Sequence, residues 1–396
     1  MKKSLSLTAL LLAVIMAFAG CSDNNGTPST SGGASSTPST SGASADASSD
    51  DDAGASSDDG GPGAVEKGIP EKTDFELGHL NSTSHLLAFV AVEEGFFKEE
   101  GLTVTLTQLA SGGELVAGLE AEKLDAAFIG SVPVITNQAN EHDITIFGGA
   151  MTNGHGYVLK TALVPDGFKQ GDISVFKGRN IASVVNTVQD YELLYLLNKF
   201  GIEVGEGEDK VNVVYFESQK DAYNALASDE IDGVSVYSPY GSVAVGAGHT
   251  VVYYCNEVED FKNQPCCRQV ALTSALAERP NTYTAFERAL IKAYKFTQEN
   301  KSGTIDDVAK YITIDKDQIE YEVYGGHAHS SPDPDKKAVT AFKEGIIDFG
   351  YTNGKDYDIN NLYNTEIYKT ALEQILAEEP NDEIYKGLSE HFNTAN

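Results

Sequence analysis

Glu93-Glu94-Gly95-Phe96-Phe97-Lys98-Glu99-Glu100-Gly101-Leu102-Thr103-Val104 is the stretch from which the fold of this 396-residue chain is read. Ahead of it, residues 84–94 carry apolar side chains at helical spacing, and the pattern stops at Gly95. Phe96 and Phe97 are placed to cap a core, and Gly101 turns the chain into a strand. In that strand Leu102, Val104 and Leu106 alternate with polar residues, the period of a half-buried β-strand. Further upstream, residues 75–80 begin with the same alternation. The local reading is strand, helix, strand.

The rhythm continues outward. Residues 114–121 read as a helix and 125–130 as a short buried strand. Ser131-Val132-Pro133 opens the next helix, with proline favoured in a first turn. Residues 144–150 and 157–160 are further strands, and a turn-rich stretch covers 164–171. The pattern then restarts, with strands at 180–185, 211–216, 232–237 and 251–254 and helices at 188–200 and 220–228. Alternation of this kind implies mainly parallel sheets flanked by helices. Two such blocks in series imply two α/β lobes. After a strand at 268–273 the chain is mainly helical, at 283–298, 305–312, 336–348 and twice near the end. In the first of these, Tyr283, Phe286, Leu290, Ile291 and Tyr294 share one face, the stripe expected to meet the core.

Five stretches in order carry a family resemblance. The opening stretch resembles the GFF-K-x-x-GL-x-V signature of binding proteins for nitrate, sulfonates, taurine and thiamine-pyrimidine precursors. Ala110-Ser111-Gly112-Gly113-Glu114 follows the second strand, and 118–127 resembles the family's helix-to-Asp turn. Phe176-Lys177-Gly178-Arg179-Asn180-Ile181-Ala182 resembles its lkGkkIa segment, and 225–233 repeats the helix-to-Asp turn. The resemblance implies a two-lobed type II periplasmic-binding-protein fold, with two crossing strands and a helical C-terminal extension. Lobe I would combine 73–160 with 261–345, lobe II would be 161–260, and 346–396 would pack on lobe I. It also implies a monomeric, non-enzymatic substrate-binding protein of an ABC importer, working with a membrane permease and its ATPase. The solute would be small and polar or anionic: nitrate, a sulfonate such as taurine, or a pyrimidine. A sensing or adhesive surface lipoprotein on the same fold is the alternative. A synthase resembling the yeast thiamine-pyrimidine enzyme is a third, and Cys266-Cys267 is its only trace.

The N-terminus sets the compartment. Lys2 and Lys3 precede an apolar run from residue 5 to 19, the layout of a secretory signal peptide over 1–20. Phe18-Ala19-Gly20-Cys21 resembles a lipobox, which implies lipidation at Cys21 and a place on the outer face of a Gram-positive membrane. Residues 21–72 are Ser, Thr, Gly, Ala, Asp and Pro with few large apolar side chains, a composition expected to stay disordered and act as a tether. The net charge of −31 argues against nucleic acid as a partner, since that binding neutralises phosphates with Lys and Arg. Cys255, Cys266 and Cys267 remain beyond the lipobox. One disulfide, from Cys255 to either member of the pair, and free thiols are both compatible with an exported chain. No P-loop, nucleophile elbow, zinc-protease helix or dinucleotide glycine fingerprint is present, and no cofactor is expected.

In α/β sheets ligands gather where strands end and helices begin, because helix N-termini offer unpaired N–H groups to anions. The turns in question hold Asn81, Ser82, Thr83 and Ser84, then Ser111 and Gly112, Ser131 and Val132, and Asn186, Thr187 and Gln189. Ser238 and Tyr240 follow the last of them, and the same residue types also cap helices. His155 precedes the first crossing strand. Arg268, one of four arginines, precedes the second with a fork suited to carboxylate, sulfonate or nitrate. Tyr240, Phe96 and Tyr157 are candidate stacking platforms for a pyrimidine. His327-Ala328-His329 is expected in a loop fixed by Pro332 and Pro334, at a spacing that matches no metal signature.

Overall fold

A computed structural model of the chain describes residues 66–396. The expected signal segment, Cys21 and most of the tether lie outside the described residues. The strands are β1 (Asp74–His79), β2 (Thr103–Gln108), β3 (Ala126–Gly130), β4 (Ile144–Asn153), β5 (His155–Leu159), β6 (Arg179–Val184), β7 (Val211–Phe216), β8 (Gly233–Tyr237), β9 (Thr250–Tyr254), β10 (Pro265–Leu272) and β11 (Ala328–Ser330). They form two sheets, ordered β11-β4-β10-β3-β1-β2 and β7-β6-β8-β5-β9.

The turn between Gly95 and Gly101 is built as its glycines require. Their φ angles are +80° and +81°, a region that other residues enter only at a cost. Between them the short helix Phe96–Glu99 drops Phe97 into the core. Its ring stacks 5.3 Å from Phe286, which in turn stacks 4.8 Å from Phe75 of β1. Phe96 points away from this stack and packs on Phe296. The stripe on the helix Pro280–Glu299 is therefore the floor of the first lobe's core.

In each lobe a central strand has two parallel neighbours, β1 between β2 and β3, and β6 between β7 and β8. The other pairings are antiparallel: β10 with β3 and β4, β11 with β4, and β5 with β8 and β9. Both sheets are thus mixed. A strand returning from the other lobe enters its sheet from the opposite end, which reverses its direction.

The first crossing is Gly154, between β4 and β5, with φ +85°. A Cβ there would lie 2.4 Å from Met151 Cε. Because β5 belongs to the second sheet, the lobe boundary drawn after residue 160 moves back to Gly154. Both strands are almost wholly buried, so their burial pattern separates them without showing which sheet each joins. The return passes through residues 255–264 into β10, which begins at Pro265.

Two expectations about the C-terminal third change. The helix Lys336–Asp348 places Val339 in a cluster with Ile144 and Ile146, while Phe342 and Ile346 pack with Tyr157 and Tyr191 of the second lobe. This helix, counted with the first lobe up to residue 345, therefore touches both lobes. The chain's last two helices, Glu366–Glu378 and Glu383–Ala395, pack against Pro280–Glu299. The segment Ala328–Ser330 is not a loop but the edge strand β11, paired with Met151–Asn153 of β4. His327 is buried against Glu322, whereas His329 is exposed, so the two imidazoles do not converge.

Candidate ligand-binding site

The strand ends of both sheets meet at a cavity of about 50 Å³, space for a few water-sized groups. Six of the expected residues line it: Ser82, Ser84, Gly112, His155, Thr187 and Gln189. Each is placed by a helix start or a strand end. Ser82 caps the turn Thr83–His85 by accepting from Ser84 N at 3.2 Å. Gly112 opens the helix Gly112–Glu120, which Ser111 caps. Thr187 caps the helix Val188–Lys199 and accepts from Asp190 N at 3.3 Å. Gln189 donates to Gln219 Oε1 at 3.0 Å, and Gln219 donates to Ser235 O at 3.1 Å, so this amide is held in place from behind.

The lobes touch across this cavity. Ser82 Oγ donates to Ser238 O at 2.9 Å, and the hydroxyls of Thr83 and Ser238 are in contact. Thr136 Oγ1 donates to Asn186 Oδ1 at 3.1 Å, and the Asn81 side chain meets the Tyr240 hydroxyl. Asn81, Thr83, Asn186, Ser238 and Tyr240 thus close the lobes rather than line the space. Behind Ser238 stands Glu322, from the helix Lys316–Tyr324, which no sequence pattern announced. Its carboxylate accepts from the hydroxyls of Ser238 and Ser242, from Ser242 N at 3.0 Å, and faces His327 Nε2 at 3.1 Å. Burial alone would raise its pKa, but His327 and the two serines hold it below the usual carboxylate range.

Several expected residues lie elsewhere. Val132 is core, and Ser131 is fully buried with no hydrogen-bond partner for its hydroxyl among the described residues. Arg268 is buried on the far side of β10, where it donates to Met151 O at 3.1 Å and Cys267 O at 2.8 Å and faces Asp335 at 3.5 Å. It lines a separate groove of about 890 Å³ with Asp333 and His329. Cys266 and Cys267 both face the cavity across register shifts in β10, and Arg268, just after them, faces away. Phe96 is half-buried against Phe296 and Tyr157 is packed into the second lobe's core; the aromatic wall of the cavity is Tyr237.

The inner wall is formed by Cys266 and Cys267, and all three described cysteines are free thiols. The sulfurs of Cys266 and Cys267 are 3.2 Å apart, and Cys266 Sγ is 3.1 Å from His155 Nε2. Cys267 Sγ lies 3.6 Å from Ser84 Oγ, and Cys255 Sγ lies 3.9 Å from His155 Nδ1. That Nδ1 also meets Glu192 Oε1 at 3.1 Å, and Glu192 is anchored by Gln264 at 2.7 Å and Tyr157 at 3.2 Å. The contact between the paired sulfurs pushes the Cys266 thiol up and draws the Cys267 thiol down, with His85 and Ser84 helping the latter against burial. Burial opposes protonation of His155, yet the Glu192 carboxylate and Cys255 raise its pKa well above the ordinary value.

Residues 68–313, more than half of the chain, match the NMT1-like family. The chain belongs to the NMT1-like family. YtlA of Bacillus subtilis (strain 168) is 26% identical to it over 255 residues, covering 62% of this chain and 73% of YtlA. A protein of the same organism named for aliphatic sulfonate binding is 24% identical over 312 residues, covering 76% of this chain and 89% of that one. Among solved structures, the periplasmic nitrate-binding protein NrtA from Synechocystis PCC 6803 superposes with a TM-score of 0.65 at 16% identity, over 83% of this chain and all of that one. The fold is that of the type II periplasmic binding proteins, with a helical C-terminal extension.

Proposed function

We propose that this member of the NMT1-like family is the solute-binding component of an ABC importer, held outside the cell by lipid on Cys21. The observation that carries the reading is the cavity itself. It lies between two lobes joined through Gly154 and residues 255–264, and is walled by Ser82, Ser84, Gly112, Thr187 and Gln189. Strand-end turns of this kind present hydroxyls and backbone N–H groups to a small polar or anionic solute. Relatives named for sulfonate and nitrate binding support that solute class. Function requires capture, closure and hand-over to a permease with its ATPase, and no reaction. Among the described residues no helix is long and apolar enough to cross a membrane, so attachment would rest on the acyl chains, of which stable anchoring needs more than one.

Thermal unfolding of the full chain in detergent, with nitrate, taurine, a pyrimidine or a small carboxylate added, tests the solute. At ~100 times its dissociation constant a bound solute adds about 2.7 kcal/mol, several degrees of midpoint. No shift with any of the four would count against this solute class. Cys21→Ala should release the protein into the medium; retention on the membrane would remove the anchor from the reading.

A further inference from the structure

Cys255 and Cys266 flank one imidazole, that of His155, and Cys267 stands against Cys266, although all three lie some hundred residues from it in sequence. Two features separate this arrangement from ordinary core packing. First, Cys266 and Cys267 turn both sulfurs to the cavity from adjacent positions, which a regular strand forbids; register shifts between Pro265 and Cys267 and between Cys267 and Arg268 allow it. Second, His155 is held from behind by a fully buried carboxylate. Glu192 is 0% exposed and takes up Nδ1, while Gln264 and Tyr157 fix Glu192 in turn. That leaves Nε2 aimed at Cys266 on the cavity wall. A carboxylate on one imidazole nitrogen, with the other nitrogen presented beside thiols, is the supporting arrangement of a metal-binding histidine.

Two of the three donor separations are close to those an ion needs. Bonds of about 2.3 Å to sulfur and 2.0–2.1 Å to nitrogen place the donor atoms of one ion roughly 3.3–3.8 Å apart. Cys266 Sγ stands 3.1 Å from His155 Nε2 and 3.2 Å from Cys267 Sγ, and holding one ion requires Cys267 Sγ to turn to within the same reach of Nε2. We propose that Cys266, Cys267 and His155 form a site for a thiophilic d¹⁰ metal ion at the floor of the cleft. The proposal rests on reading the cleft as the solute site: a Cu(I) or Zn(II) ion at its floor would offer an open position to the small polar or anionic solute. Thiolate donors favour both ions. A cavity of about 50 Å³ is sized for an ion with one small further ligand, and Zn(II), which takes four ligands, would hold that ligand in the remaining space. On binding, the proton on His155 Nε2 and any proton still on the two thiols pass to solvent, and Nε2 and both sulfurs each donate a lone pair to the ion; no oxidation state changes.

The test is anaerobic titration of the full reduced chain in detergent, with Zn(II) alone and with Cu(I) delivered from a bicinchoninate complex, following stoichiometry, thiolate-to-metal absorption and melting midpoint. One equivalent of either ion should bind and raise the midpoint, and the C266S/C267S double variant should lose it. E192Q should weaken binding about 10–100-fold. Should the double variant misfold, the unmodified chain still answers: one equivalent of ion should protect Cys266 and Cys267 from iodoacetamide, read by peptide mass spectrometry. No stoichiometric binding, binding that survives C266S/C267S, or loss only in C255S would each overturn the site. If the ions fail while nitrate or taurine shifts the midpoint, the import reading stands alone. If neither ions nor organic solutes act, both fall.

Discussion

Glu100 sits beneath the Gly101 turn, sealed from solvent, with Arg288 Nε at 2.7 Å, Lys292 Nζ at 2.7 Å and Lys67 Nζ at 2.6 Å. Burial would raise its pKa, but those three cations hold it down at about 2. A carboxyl whose folded pKa lies below its unfolded one stabilises the fold above the unfolded value and loses that contribution as pH falls. For Glu100 the window runs from the ordinary 4.5 down to about 2. Removing one partner of a buried pair costs about 3–5 kcal/mol, so Arg288→Ala should lower stability at neutral pH and flatten the loss between those two values. Denaturant unfolding at several pH values would show it, and an unchanged acid limb would contradict it. The sequence carried no sign of this cluster. Nor did it show that Arg268 turns away from the cavity, because a strand's inward face depends on register and on the irregularities beside Cys267. The serines and threonines of the turns were legible, since capping and binding call for the same residue types. The cysteine–histidine wall was not, because its members are distant in sequence and match no spaced motif.

Among elements, those with a strong period were readable from sequence. The strand Val211–Phe216 and the helix Lys336–Asp348 fall where their patterns place them. The short helices Phe96–Glu99, Tyr240–Gly246 and Thr273–Glu278 went unread, because one or two turns give too few residues to establish a period. The helix Lys316–Tyr324 was missed for another reason. Only Ile319 and Glu322 are buried along it, so its inward face pairs an apolar side chain with a carboxylate and shows no apolar stripe. Yet it supplies Glu322, which holds the Ser238 side of the closure. The lobe boundary is a third case: β4 and β5 were read as separate strands, but both are buried, and nothing in their residues shows that β5 joins the second sheet.

At the scale of the molecule, the lobes are joined by more than the two chain crossings. Phe342 meets the Tyr191 ring at 5.3 Å, Phe349 meets it at 5.6 Å, and Tyr351 donates to Asp190 Oδ2 at 2.7 Å. Val339 of the same helix stays with the first lobe. Opening the cleft must therefore slide or unpack this aromatic seam. Truncating a well-packed phenylalanine costs about 3–5 kcal/mol, and here part of that falls on the closed arrangement. Phe342→Ala should speed solute release while leaving the cavity residues untouched; stopped-flow displacement would measure it, and an unchanged off-rate would show that the seam moves with one lobe only. The helix Lys336–Asp348 would then act as a clock as well as a clasp. How long a captured solute stays aboard would be written in side chains that never touch it, and dwell time could be retuned without altering what is recognised.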